Sequence, residues 1–222
     1  MRAFLRDGDE RIVATARSDV RHALLRERLD KRAAARLIPV IGDVSSAGNA
    51  RTLAARVREA AGDFDVAIPS LGGWWEGEPL LGVAQSTWEA IMREMLETHV
   101  FFAQAFVPQL IRRGGTYLAI GGGAALTPIP NAGLVSIAAA AQVMLTRVLA
   151  RENAGADVLE LVVNGPVRTR DSAPFAGSDW IDADDVARVV TELVRTGATT
   201  WPAMRGRRPI LTMDRSARSA RR

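Results

Sequence analysis

Apolar residues follow two different periods along this chain, and the two take turns. Short runs rich in valine, isoleucine and leucine at residues 11–17, 37–41, 65–70, 116–120, 158–163 and 209–213 predict strands. The run at 158–163 reads as continuously apolar, as a fully buried strand does. Pro69 lacks an N–H and is expected at the end of its strand rather than inside a ladder. Between the runs the spacing becomes helical. Residues 19–35 form an amphipathic pattern laced with Arg, Glu and Asp, which reads as a solvated face, and a further helix covers residues 50–61. Ser86-x-x-Glu89 reads as a capping box opening a long helix to about residue 112. Val135, Ala138, Ala139, Val143, Leu145 and Leu149 share one face of another long helix, lined mostly by small side chains. Asp182 to Asp185 place negative charge at the start of a helix through about residue 195. Residues 1–8 read as a short helical end closed by glycine.

The turns that follow the strands hold the candidate chemistry. Residues 37–41 run into Gly42, Asp43 and Val44, with Ser45 and Ser46 able to cap the next helix. Residues 65–70 run into Gly72, Gly73, Trp74 and Trp75. The tryptophans either wall a pocket for an apolar or aromatic ligand or pack their loop against the core. Gly121 to Gly123 follow the fourth run, as a tight turn or as a cluster of backbone N–H donors of the oxyanion-hole type. Residues 170–179, with Pro174 and Gly177, form a candidate lid.

Composition narrows the classes. At 222 residues one core suffices, since single cores extend to about 250–300 residues. The organisation expected is one domain over residues 1–204, a last strand continuing to about 213, and a basic tail over 214–222. With no cysteine and two histidines, His22 and His99, far apart, disulfides are excluded and no metal site is expected; each histidine reads as a packing or surface residue. No apolar run of about 18 residues and no leader pattern is apparent, so a soluble, cytoplasmic protein without membrane contact is expected. The sequence pI is about 10.7, but the charge is local. Residues 205–222 hold seven arginines and Asp214, a net 7 − 1 = +6, which leaves 4 − 6 = −2 for the remainder. A slightly acidic body lacks the basic face of a groove-binding protein, and nucleic-acid binding is not expected of it.

Taken together, the strand, glycine turn and helix at residues 114–152, the Asp43-Val44 pair, and Asn164-Gly165-Pro166-Val167-x-Thr169 resemble the short-chain dehydrogenase/reductase family. The resemblance covers nearly the whole chain. It implies an α/β fold, a Rossmann-like doubly wound parallel sheet, here N-terminally truncated: residues 11–17 correspond to the family's second strand, and the first strand with its glycine-rich pyrophosphate turn has no counterpart. In the strand order 3-2-1-4-5-6-7 that loss falls in the middle of the sheet. Three remedies stand: residues 11–17 slide to pair with the strand near Asp65, another segment or subunit inserts, or Met1 is an internal methionine of a longer protein.

The family's catalytic serine, tyrosine and lysine fall at Gly122, Val135 and Ala139, and its helix asparagine at Met95. With one tyrosine, Tyr117, and one lysine, Lys31, in the chain, no Tyr-x-x-x-Lys exists in any register, so no catalytic residue is assigned. The cofactor-binding positions implied are Arg17 (at an NADP 2′-phosphate, or simply facing solvent), Asp43 and Val44 (at adenine, or capping), Gly72, Gly165, Val167 and Thr169. NADP is the cofactor left open. The helices at 86–112 and 136–152 are those through which the family commonly dimerises, the alternative being burial within the subunit. Three functions follow: a family member without standard hydride transfer that binds a small molecule near Trp74 and Trp75 or a partner subunit; an NADP-dependent oxidoreductase of altered mechanism whose chain begins upstream of Met1; and a phosphate- or nucleic-acid-touching arm in the arginine tail.

Overall fold

The computed structural model describes residues 11–196 and the backbone of residues 210–213. The expectations for residues 1–8 and for the tail lie outside them. The elements in chain order are β1 (Ile12–Ala16), α1 (Asp19–Glu27), α2 (Lys31–Ala35), β2 (Leu37–Ile41), α3 (Ala47–Ala61), β3 (Val66–Ala67), α4 (Gln85–Met92), α5 (Thr98–Arg113), β4 (Thr116–Gly122), α6 (Gly133–Glu152), β5 (Asp157–Val163), β6 (Val167–Arg168), β7 (Ile181–Asp182), α7 (Ala183–Thr196) and β8 (Ile210–Met213). All pairings are parallel. Alternating strands and helices leave a parallel sheet covered by helices, because parallel strands need crossovers that pack back on the sheet faces.

Two clusters show the two faces of that sheet. Tyr117, Ala119 and Val158 lie with Leu53 and Val57 of α3 and Phe102 and Phe106 of α5. Leu118, Leu159 and Leu161 lie with Val190 and Leu193 of α7. The period of two along β4 and β5 sends neighbouring residues to opposite faces.

The ladder is broken where the first strand would stand. β1 pairs with β2, and β3-β4-β5-β8 form a separate four-stranded order. Residues 11–17 have therefore not slid onto the strand near Asp65. β1 keeps its full five-residue register on β2, Ile12 opposite Leu37 through Ala16 opposite Ile41, and sliding would surrender it.

Several boundaries differ from expectation. The pattern at 19–35 is two helices, because Asp30 accepts the Ala33 N–H at 2.8 Å and restarts the helix as an N-cap. Ser46, rather than Ser45, caps α3 by accepting from Asn49 N–H at 3.1 Å. The Ser86–Glu89 capping box does not form. α4 starts at Gln85 with Ala84 as N-cap, so Ser86 lies inside the first turn, and Glu89 instead accepts from Gln85 Nε2 at 2.7 Å. The long helix to 112 is interrupted by a π-turn over Arg93–Glu97. The strand at 65–70 is hydrogen-bonded only over Val66–Ala67, with Pro69 beyond its end. The apolar strand at 158–163 carries a buried acid, Glu160.

The expectation about apolar length is corrected too. α6, at 20 residues, is by length and composition apolar enough to cross a membrane, the one such helix among the described residues. Ser136 and Gln142 break its apolar run without lowering the mean below that level. Its inner face, including Leu134, Val135, Ala138, Ala139 and Val143, is buried.

Candidate functional site

The carboxyl ends of β1, β2, β3, β4 and β5 carry nearly all the positions singled out from the sequence, as expected of an open α/β sheet. Asp43, just past β2, is held in place by local bonds. Its Oδ1 accepts Ser45 N–H at 2.8 Å, Ser45 Oγ–H at 2.5 Å and Asn49 Nδ2–H at 3.0 Å. The Ser45 hydroxyl, then its N–H, then Asn49 hold the carboxyl below the usual range, and Arg17 adds a smaller pull in the same direction. Arg17 and Asp43 thus share one field, and Asp43 serves its own turn first. Val44 is 7% exposed and belongs to the core cluster that includes Ala50 and Leu53 of α3.

Gly72 stands beyond β3 at φ 87°, a conformation that favours glycine, and a Cβ there would lie 3.8 Å from Met95 Cγ. The loop is also tied to α5: His99 donates to the Leu71 carbonyl, while burial, the larger effect, pushes its pKa down, with Nε2 buried and unpartnered. That fits the packing role expected of it. The tryptophans divide. Trp74 is 62% exposed, whereas Trp75 packs into a cluster of Met92, Met95, Ala132, Leu134, Val135 and Ala138.

That cluster occupies the centre where the resemblance puts catalysis. Met95 and Val135, at the asparagine and tyrosine positions, lie in it together. Ala139 is 8% exposed and Gly122 has no side chain. No ionisable group stands at any of the four places. Met95 lies in the π-turn, and Gln142 Nε2 donates to its carbonyl across from α6 at 2.5 Å.

On the other side, Gly123 backs onto Asn164 so closely that any Cβ would clash with Asn164 Oδ1. Asn164, which replaces the family's proline, and the glycine turn are one packed unit. Gly165 is at φ 151°, beside Ile181. Val167 is in β6, paired with Ile181. Thr169 is engaged by Ser172: its N–H donates to Ser172 Oγ at 2.8 Å and its Oγ1 accepts Ser172 N–H at 3.2 Å. The candidate lid is a closed turn between β6 and β7, further held by Arg168 Nη2 donating to the Gly177 carbonyl at 2.8 Å.

Glu160 was missed as an ionisable site, although one acid inside an otherwise apolar run was visible. It is 3% exposed, with both carboxylate oxygens unpartnered. Oε1 would lie 3.6 Å from a Cβ on Gly121, so the glycine turn gives it room. Burial raises its pKa to about 7, against a smaller opposing pull from Arg147.

Where the resemblance puts the lysine that holds the cofactor ribose this chain has Ala139, and its one lysine is Lys31.

Comparison with known proteins agrees with the architecture. A family model described as enoyl-(acyl carrier protein) reductase matches residues 2–199, and the chain belongs to the short-chain dehydrogenase/reductase family. A curated human relative, dehydrogenase/reductase SDR family member 2, mitochondrial, is 26% identical over 141 residues, 63% of this chain and 50% of the relative. The chain thus spans about half the length of that relative. Similar solved structures include an alcohol dehydrogenase from Thermococcus sibiricus complexed with 5-hydroxy-NADP, at TM-score 0.78 and 22% identity, covering 96% of this chain and 87% of that one. A gluconate 5-dehydrogenase from Burkholderia cenocepacia in complex with NADP and tartrate gives TM-score 0.76 and 19% identity, covering 94% and 85%. Serine dehydrogenase from Escherichia coli gives 0.74 and 20%, covering 97% and 91%.

Proposed function

We propose that this chain is a family member that does not carry out the standard hydride transfer, and that it binds a small molecule or a partner subunit instead. The observation that carries the reading is the apolar cluster of Met95, Val135, Ala138 and Trp75 in the place of a proton-transfer centre. A single positioned general acid is worth roughly 10² to 10⁴ in rate, and here the acid, its lysine and the serine are all replaced.

The ligand surface lies at exposed Trp74 and suits a flat apolar molecule through stacking. The subunit surface lies on α6, where Ile137, Met144 and Val148 stand exposed at spacings of seven and four, one side of the helix. This supports a homo-oligomer formed through α6 and the helices at 86–112.

The test is a turnover assay with NADPH against a panel of aldehydes and ketones, run beside tryptophan fluorescence titrations with aromatic ligands. No turnover together with a Trp74-dependent fluorescence change supports the reading. Turnover above the uncatalysed rate sinks it.

A second reading is an NADP-dependent oxidoreductase of altered mechanism whose chain begins upstream of Met1. The interruption between β1 and β3 favours it, since an upstream strand and turn would complete both sheet and cofactor site. In that case the backbone of Gly121 to Gly123 polarises the carbonyl.

A further inference from the structure

The chain holds four asparagines, Asn49, Asn131, Asn153 and Asn164, and Asn164 alone is followed by glycine; the other three precede alanine. The neighbour matters because an asparagine side chain can react with its own main chain. The amide nitrogen of the next residue lies within reach of Cγ, and a ring closes there most readily when that residue turns freely and has no Cβ to crowd it. Asn164-Gly165 is the one pair that meets both conditions.

The fold leaves this pair open. Asn164, Gly165 and Pro166 are all exposed, in the turn between β5 and β6. Among the described residues the Asn164 side chain makes no hydrogen bond. By contrast, Asn49 Nδ2 donates to Asp43 Oδ1 at 3.0 Å and Asn153 Nδ2 donates to the Leu149 carbonyl at 2.9 Å, while Asn131 runs into the fully buried Ala132. Gly165 stands at φ 151°, a backbone conformation that favours glycine. Two neighbours bear on the turn. A Cβ on Gly123 would lie 3.1 Å from Asn164 Cα, and the Pro166 carbonyl accepts Ile181 N–H at 2.9 Å beside the β6–β7 pairing.

We infer that Asn164-Gly165 is a self-modification site, at which the Gly165 amide converts Asn164 through a cyclic imide into aspartate and isoaspartate. The Gly165 nitrogen attacks Asn164 Cγ and a C–N bond forms. The Cγ–Nδ2 bond breaks, and Nδ2 leaves as ammonia with the proton given up by the Gly165 amide. One water then opens the ring, which the exposure of the turn supplies. Opening at Cγ gives aspartate; opening at the main-chain carbonyl carbon gives isoaspartate, whose backbone runs through Cβ and Cγ. Nothing is oxidised or reduced. Either product sets a carboxylate, negative at neutral pH, at the carboxyl end of β5 against the Gly121 to Gly123 turn. The isoaspartyl form also lengthens the chain by one methylene group and shifts Pro166 relative to Ile181. The inference is independent of whether the chain is catalytic.

The test holds the purified 222-residue chain folded in mildly alkaline buffer made with heavy-oxygen water, with samples taken over time for peptide mapping by mass spectrometry. Asn164 is expected to convert at least about tenfold faster than Asn49, Asn131 or Asn153, and more slowly in mildly acid buffer. Its products carry one heavy oxygen, and isoaspartate is among them. Conversion of all four asparagines at one rate overturns the inference. So does conversion of Asn164 in urea but not in the folded chain, which means that the fold holds the pair closed. Aspartate without isoaspartate also overturns it, since water has then attacked the side chain directly. The effect on the turn is read at Ile181, whose amide hydrogen is expected to exchange several-fold faster in the isoaspartyl form, separated by ion exchange, than in the fresh chain. Equal exchange rates overturn the shift of Pro166.

Discussion

At the residue scale, the chain's least ordinary side chain is Glu160, a carboxylate with no hydrogen-bond partner in the middle of β5. Its folded pKa, raised to about 7 chiefly by burial, exceeds the roughly 4.3 of an unfolded glutamate. The folded state therefore binds the proton more tightly. Stability is fully retained below about pH 4, falls as pH rises towards 7, and is lower above that by on the order of 3 kcal/mol. Glu160→Gln is expected to flatten the slope, read as urea midpoints across pH 5 to 8, roughly; an unchanged slope would place the titrating group elsewhere. The paired tryptophans offer a second contrast. Trp75→Ala should cost on the order of 2 kcal/mol, less than the ~3–5 of a fully buried tryptophan, while Trp74→Ala should stay within about 0.5 kcal/mol. Equal losses in thermal melts would contradict the division seen between them. The sequence alone could place both at the end of a strand but could not divide them, because that depends on Met95 and Val135, distant in sequence, meeting Trp75 in space. The burial of Val44 was not legible for the same reason: a dipeptide match carries no information on which way the side chain points.

At the element scale, most strands and helices were legible because period two and period 3.6 leave different marks in the order of apolar residues. What escaped were features decided by single hydrogen bonds. Asp30 restarts a helix inside one amphipathic pattern, and the π-turn over Arg93–Glu97 shifts the phase of a helix whose composition looks continuous. A side chain from another helix, Gln142 on α6, donates to the Met95 carbonyl within that turn. Gln142→Ala is expected to leave that buried acceptor unpaired and to lower stability by about 1–3 kcal/mol, measured by denaturant unfolding. A loss near zero would mean that the turn stands without the bond. The outer side of α6 has its own test. Met144→Glu with Val148→Glu places charge on the proposed subunit surface and should convert an oligomer to monomer in sedimentation experiments without lowering helix content. An unchanged sedimentation coefficient for an oligomeric parent would put the interface elsewhere.

For the whole molecule, family membership and the proposed loss of the standard chemistry are compatible because fold and site depend on different residues. Parallel strands, crossover helices and two apolar layers are written into many positions and survive low identity, as the TM-score of 0.78 at 22% identity illustrates. The reaction centre is written into a handful, and where the resemblance puts them, at Gly122, Met95, Val135 and Ala139, this chain has apolar residues or no side chain. The break between β1 and β3 among the described residues was legible as a gap in the family's order of elements. That β1 would keep its place on β2 instead of closing the gap was not, since it turns on a comparison of two pairings. The proposed reading leaves this chain without a working nicotinamide site, and the measurement to make is a calorimetric titration of the purified protein with NADPH. The expected result is no binding heat up to millimolar cofactor. Micromolar binding, weakened by Arg17→Ala for NADPH but not for NADH, would show a surviving cofactor cleft and contradict the claim.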